Sequence, residues 1–330
     1  MQSQLSNAVR FLAAPPMVLA EQQSAQSIPN SAYTGVTLDT PIYDNYQGFN
    51  NPADLAVYQV ASGAAGIYLL TGRVALATSS TTAFLGALYS VNGTNIGHGD
   101  GVTSQPGISY LTPTVYDLVR LNASDIVRLA TYQSTGAAIN TYIGMSCPSL
   151  TLRWVATQAG TAGLSPPNPR TWALNDASTA LMFNTEIRDA VRFLSYPPYC
   201  RAVQGTIQSI PNNTFTTFTN IAPGLDNYSA WSGSTWTCPV SGTYLCTAAA
   251  GIGSANVQMG LKTVISSVSN TYYGTALYGP TGNGHGGMAK TLRLSAGDTI
   301  QPGLIQNSGA AANTVVAIAS TRFCALWMSK

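Results

Sequence analysis

The residues with the most reactive side chains in this chain are few, and none is arranged for catalysis. His98 and His285 each stand in a Gly-His-Gly context. A histidine beside a carboxylate can act as a base, or as a metal ligand when Cys, His or Glu stand at ligand spacing. The two histidines fall in separate domains with no Cys or Glu at ligand spacing, so both are expected in flexible loops and no metal is expected. Asp125 and Asp298 recur at matching places between two strand-like runs. Acid–base work needs a partner group and none recurs beside them, so they are expected to accept backbone N–H bonds in a turn. Arg120 and Arg293 are expected at a strand edge or an interface. Gly282, Gly284, Gly286 and Gly287 have the look of a phosphate loop, yet no Gly-Lys-Ser/Thr follows and no βαβ pattern surrounds them. The expectation is a protein without enzymatic activity and without a cofactor. A glycosidase would need two carboxylates about 5–10 Å apart across a cleft, and no such pair is visible. What remains is a set of tyrosines among glycines: Tyr110 in the stretch 93–110, and Tyr272, Tyr273 and Tyr278 in 270–287. On outward loops they would offer flat amphipathic faces to a sugar or a protein.

The chain that must position these groups says nearly the same thing twice. Ala8-Val9-Arg10-Phe11-Leu12, Pro15-Pro16 and Gln26-Ser27-Ile28-Pro29-Asn30 return without a gap as Ala190-Val191-Arg192-Phe193-Leu194, Pro197-Pro198 and Gln208-Ser209-Ile210-Pro211-Asn212. Asp44-Asn45-Tyr46 returns as Asp226-Asn227-Tyr228. Arg120, Asp125, Gly136-Ala137-Ala138 and Trp154 return as Arg293, Asp298, Gly309-Ala310-Ala311 and Trp327. This is a duplicated domain, and each copy is expected to form its own core. The division expected is 1–155 for a helix and a first sandwich, 156–178 for a linker rich in Gly and Pro, and 179–330 for a helix and a second sandwich.

Each copy opens with a helical pattern. Leu5, Val9 and Leu12 share one face in the first copy, and Ile187, Val191 and Leu194 share one in the second, with Asn184 placed to cap the first turn. These six residues are the expected apolar anchors of a docking helix. Both helices should stop before the Pro-Pro pairs. Everything after reads as short strands rich in Val, Ile, Thr, Tyr and Trp, divided by Gly, Asn and Pro. Val91-Asn92-Gly93-Thr94 is a hairpin signal. From Val315 to Trp327 alternate residues suggest one long strand. The fold class expected is all-β, two tandem jelly-roll sandwiches each preceded by a short α-helix.

Composition narrows the function classes. Charged residues make up 8% of the 330, against roughly 25% in an ordinary soluble protein. A surface of neutral polar groups loses little on desolvation and suits extensive protein–protein contact. The net charge of +2 gives no basic footprint for nucleic acid. No apolar run reaches the roughly 18–20 residues of a membrane span, and no signal peptide is expected. Five cysteines at unmatched positions read as buried small hydrophobes in a reducing cytoplasm.

Two resemblances follow from particular residues. The run Trp236-Thr237-Cys238-Pro239-Val240-Ser241-Gly242-Thr243-Tyr244, with Leu292-Arg293-Leu294-Ser295-Ala296-Gly297-Asp298-Thr299-Ile300, resembles the trimeric jelly rolls of the tumour necrosis factor and complement-component superfamily. The first copy keeps Gly66-Ile67-Tyr68 and has Ser124 where that turn glycine stands. The run Thr171-Trp172, Asn175-Asp176, Thr179-Ala180, Met182, Asn184, Ile187-Arg188-Asp189, Arg192-Phe193-Leu194, Pro197-Pro198 resembles the opening of minor structural, tail-type proteins of actinobacterial phages. Together they imply a homotrimeric virion protein, a tail or fibre component that contacts a host-surface glycan or protein and other virion proteins. It would be assembled in the host cytoplasm. A capsid decoration protein at a symmetry axis and a carbohydrate-binding or carbohydrate-active jelly roll are the alternatives.

Overall fold

The duplication in sequence becomes a duplication in strand order. The computed structural model describes every residue except 1, 50–53, 55, 78–83, 104–109, 145–146, 161–162, 165, 167–179, 254–256, 266–267, 278–282 and 317–320. Twelve strands of the first half have counterparts in the second, and the ten that build the two main sheets are labelled so that strand n matches strand n+10. In the first half they are β1 (Met17–Glu21), β2 (Thr34–Gly35), β3 (Thr40–Asp44), β4 (Tyr58–Gln59), β5 (Gly66–Arg73), β6 (Phe84–Val91), β7 (Thr94–Thr103), β8 (Thr114–Leu121), β9 (Ile126–Gln133) and β10 (Ser149–Ala156). In the second half they are β11 (Tyr199–Gln204), β12 (Thr216–Thr217), β13 (Ile221–Asp226), β14 (Thr235–Thr237), β15 (Gly242–Gly253), β16 (Val257–Ile265), β17 (Val268–Leu277), β18 (Asn283–Leu294), β19 (Thr299–Gln306) and β20 (Arg322–Ser329). One sheet of the first half runs β8-β5-β10-β1-β3 and the other β9-β6-β7, with β2 and β4 on β9. The second half repeats this as β18-β15-β20-β11-β13 and β19-β16-β17, with β12 and β14 on β19. All the pairings named are antiparallel. The chain is all-β, built as two jelly-roll sandwiches, each with its own buried cluster between its sheets.

The repeated signatures are the staples of that fold. Asn45 accepts from the Met17 N–H at 2.8 Å and donates to the Pro15 carbonyl at 2.8 Å. Asn227 does the same with Tyr199 and Pro197. Each Asp-Asn pair thus ties the chain leaving the Pro-Pro corner to strand β3 or β13. Asn30 and Asn212 accept from the N–H of Gly136 and Gly309. Gln133 and Gln306 donate to the carbonyls of Ile28 and Ile210, and of Ala137 and Ala310. Two loops distant in sequence are satisfied by one buried amide in each copy, which is why these types recur. Asp125 and Asp298 accept from the N–H of Asn122 and Ser295 at 2.7 Å, as turn aspartates. The turn residue before them has positive φ in both copies, Ser124 at 71° and Gly297 at 94°. A left-handed serine costs about 1–2 kcal/mol, partly offset by the entropy glycine adds to the unfolded chain. Ser124→Gly is therefore expected to stabilise the first sandwich by about 0.5–1 kcal/mol, measured by urea unfolding. A loss of stability would show that the hydroxyl supports the turn.

Several elements differ from the sequence reading. Strands β1 and β11 begin directly after the Pro-Pro pairs, ahead of the first runs that read as strands, near 31–40 and 213–222. The stretches 93–110 and 270–287 are largely strand rather than loop: β7 follows the Asn92-Gly93 turn, whose φ values are 51° and 78°, and β17 and β18 fill most of 270–287. His98 lies on β7 opposite Leu88, and His285 on β18 opposite Gly251, so neither is a loop histidine. The long final strand is divided, with a short strand Ala312–Val315 ahead of β20. On β20, Phe323, Ala325 and Trp327 face the core as expected, while Cys324 and Leu326 are buried on the opposite side. Asn184 caps nothing. The helix begins at α2 (Ala180–Phe183), passes through a π turn at Asn184–Arg188 and ends as α3 (Asp189–Ser195), because Ala180 to Phe183 already continue it upstream. All five cysteines are free and buried.

Candidate functional site

Each helix is fastened to its sandwich by a phenylalanine that the sequence reading did not single out, and in the first copy Leu12 of the expected stripe packs on the same core. In α1 (Gln2–Ala13), Phe11 sets its ring edge-on against Trp154, centroids 4.8 Å apart. In α3, Phe193 is fully buried and meets Trp327 in the same way at 4.8 Å. The phenylalanine of the repeated Arg-Phe-Leu, one position before the leucine of the expected stripe, fastens each helix to its own sandwich. Val9 and Leu194 remain exposed, at 49% and 42%. Ile187, in the π turn, and Val191 are half-buried, and the side chain of Leu5 lies outside the described residues.

The two helices are neighbours, with α1 touching α3. Between their ends lies a cleft of about 200 Å³ lined by matching residues of both copies: Leu12 and Leu194, Pro15 and Pro197, Trp154 and Trp327, Val155 and Met328. The repeat therefore yields one composite cleft rather than two separate docking stations.

Of the four tyrosines, Tyr110 stacks on Tyr142 with centroids 4.1 Å apart and planes at 9°. Tyr272 is half-buried on β17 with the Lys290 ammonium 4.4 Å from its ring centroid. Tyr273, 48% exposed, meets Phe215 edge-on. Tyr278 lies outside the described residues. The first sandwich's Tyr110 and the second sandwich's pair are not brought together.

The most concentrated chemistry is one the sequence reading missed. Asp117, on β8, is fully buried where the copies meet. Arg201 from β11 grips it with two hydrogen bonds, Nε to Oδ1 at 2.7 Å and Nη2 to Oδ2 at 3.0 Å. Arg322 from β20 lies 3.5 Å from Oδ2 and donates to the Tyr116 carbonyl at 3.0 Å. The Tyr89 hydroxyl donates to Oδ2 at 2.7 Å. Burial pushes the Asp117 carboxyl up, but Arg201 and Arg322 outweigh it and hold the group below the usual carboxylate range. Burial, then the neighbouring carboxylate, pushes the Tyr89 hydroxyl well up. Around this cluster Leu118, Ile67 and Ala156 of the first copy pack on Tyr199, Cys324 and Leu326 of the second. A carboxylate sealed under two guanidiniums has no access to a substrate. The arrangement is a clasp between the copies, not a catalytic centre. One signal could have found it: Asp117 has the same strand parity as the core residues Val115 and Val119, in a chain with very few charges.

Among the described residues no group of three or more His, Cys, Asp or Glu could hold a metal, and no helix is long and apolar enough to cross a membrane. No protein-family model matches the chain, and no curated protein does either. Solved structures do. Murine APRIL is 15% identical, covering 40% of this chain and 98% of its own with a TM-score of 0.33. The globular domain of zebrafish complement 1qA is 14% identical, covering 40% and 98% with a TM-score of 0.30. Eiger TNF from S. frugiperda is 10% identical, covering 40% and 92% with a TM-score of 0.33. At these scores the likeness adds nothing to the strand order, which stands on its own as a pair of jelly rolls.

Proposed function

We propose that this chain is a non-enzymatic structural protein of a phage particle, a homotrimeric tail or fibre component that contacts the host surface. The observation that carries the reading is where the shared residues go. The Asp-Asn, Ile-Pro-Asn and Gly-Ala-Ala signatures all close turns or tie strands together, and the helices converge on one apolar cleft. A duplication that preserves scaffold and a joint surface, and no reactive pair, fits assembly and binding better than turnover. The phage assignment rests on the run from Thr171 to Pro198 and its resemblance to tail-type proteins. Within this reading Tyr273 is, of Tyr110, Tyr272 and Tyr273, the one best exposed for a glycan or protein contact.

Two measurements test it. Light scattering of the purified chain should give about three times the 34.5 kDa monomer mass. Gold-labelled antibody against the chain should mark the tails of intact particles. Label on the capsid shell would favour a decoration protein, and bare particles would remove the virion reading altogether.

A further inference from the structure

Where the two copies meet, the Asp117 clasp borders a cavity of about 360 Å³ whose wall comes from both. Val91, Ile96 and Leu118 of the first copy and Leu225 of the second make it apolar, and Arg120 and Arg201 set two guanidiniums in it. No carboxylate stands among the described residues that line it.

Both arginines have donors to spare. Arg201 turns Nε and Nη2 to Asp117, which leaves Nη1 without a hydrogen-bond partner among the described residues. Its side chain stays 14% exposed beside a carboxylate that is wholly buried. Arg120 is exposed on β8 and has no ion pair or hydrogen bond from its side chain among the described residues. Its repeat, Arg293, has the Thr243 hydroxyl for a partner at 3.5 Å.

The rim is kept open by a residue the backbone does not require. The pairing of β11 with β13 shifts between Arg201 and Ala202, and the bulged residue is Gly224. The first copy has the same shift between Leu19 and Ala20, with Ile42 at the matching place. A methyl group added to Gly224 would meet only the Arg201 carbonyl oxygen, at 4.0 Å, so a side chain fits there and glycine leaves the cavity mouth clear.

We propose that this cavity binds a small organic oxyanion, a carboxylate or phosphate monoester with an apolar body, its head between Arg120 and Arg201 and its body against Ile96 and Leu225. Guanidinium N–H groups suit either head group. Two cations in one apolar cavity repel each other, and an anion between them removes that repulsion. Such a ligand would touch both sandwiches and brace the junction beside the clasp.

Calorimetric titration of the full chain with benzoate and with phenyl phosphate tests the site, with benzyl alcohol as the uncharged probe. At least one anion should bind saturably, the tighter of the two identifying the head group, and benzyl alcohol should bind about tenfold more weakly or worse. Arg120→Gln, which leaves the clasp untouched, should weaken the anion about tenfold or more. Gly224→Ile, which places the first copy's residue at the bulge, should weaken it as well by narrowing the mouth. Circular dichroism of both variants guards against loss of fold. No saturable binding of either anion up to about 10 mM overturns the proposal. So does benzyl alcohol binding as tightly as the anions, or an affinity that neither substitution changes.

Discussion

Replacing Asp117 by alanine is expected to cost about 3–5 kcal/mol in stability, among the largest effects of any single substitution in this chain. The reason is not the loss of a salt bridge as such. A buried ion pair barely repays its own desolvation, but removing one member leaves the other uncompensated in a low dielectric. Here two guanidiniums converge on one carboxylate, and Arg322 is only 2% exposed. The Tyr89 hydroxyl and the Leu118 N–H also donate to it. Denaturant unfolding of Asp117→Ala should show the loss. Replacing Asp117, Arg201 and Arg322 together by apolar residues of similar size should restore much of it. A change below about 1 kcal/mol in the single variant would mean that water reaches the cluster and that the copies are not clasped there.

The same cluster has a pH signature. The folded-state pKa of Asp117 is depressed, so its contribution is fully present above the unfolded value of about 3.9 and is lost as pH falls through the lower folded value. Wild-type stability should therefore lose this contribution below about pH 4, and Asp117→Ala should lack that component.

What could be read in the sequence and what could not divide along one line. Residues that do the same task in both copies were legible, because duplication marks them. The Asn45 and Asn227 ties and the Asn30 and Asn212 acceptors are examples. The clasp was invisible for the opposite reason. The contact joins β5, β8 and β10 of one copy to β11 and β20 of the other, so its residues must differ at matching positions. Asp117 faces Lys290 in the alignment, Arg201 faces Leu19 and Arg322 faces Ser149, and comparison of the copies discards all three as noise. Strands β7 and β17 were missed through composition. Their glycines lower β-propensity, yet a strand held along its length by a neighbour tolerates them. Phe11 and Phe193 were passed over because a stripe of Leu and Val satisfies helical periodicity, while the tryptophan each ring meets lies more than a hundred residues away.

The second large effect concerns a glycine that both copies require. Gly66 opens β5 and Gly242 opens β15, each beneath the indole of the paired tryptophan, Trp154 or Trp327. A methyl group on either would run into that indole nitrogen. It would also stand 2.7 Å from the Ala156 carbonyl oxygen or 2.6 Å from that of Ser329, both on adjoining backbone. The indole cannot swing aside freely, because its other face receives Phe11 or Phe193. Overpacking at a site fixed on both sides costs roughly 1–3 kcal/mol and sometimes more. Gly66→Ala and Gly242→Ala are each expected to destabilise by about 3 kcal/mol and to loosen the helix that packs on the same tryptophan. Protease sensitivity within 2–13 or 180–195 would report that loosening. Gly205→Ala is the control, since no atom lies within 4 Å of its added methyl. It should shift unfolding by less than about 0.5 kcal/mol. Equal, small effects at all three positions would mean that the tryptophans yield, and that the Gly-Trp pairing is not what seats the helices.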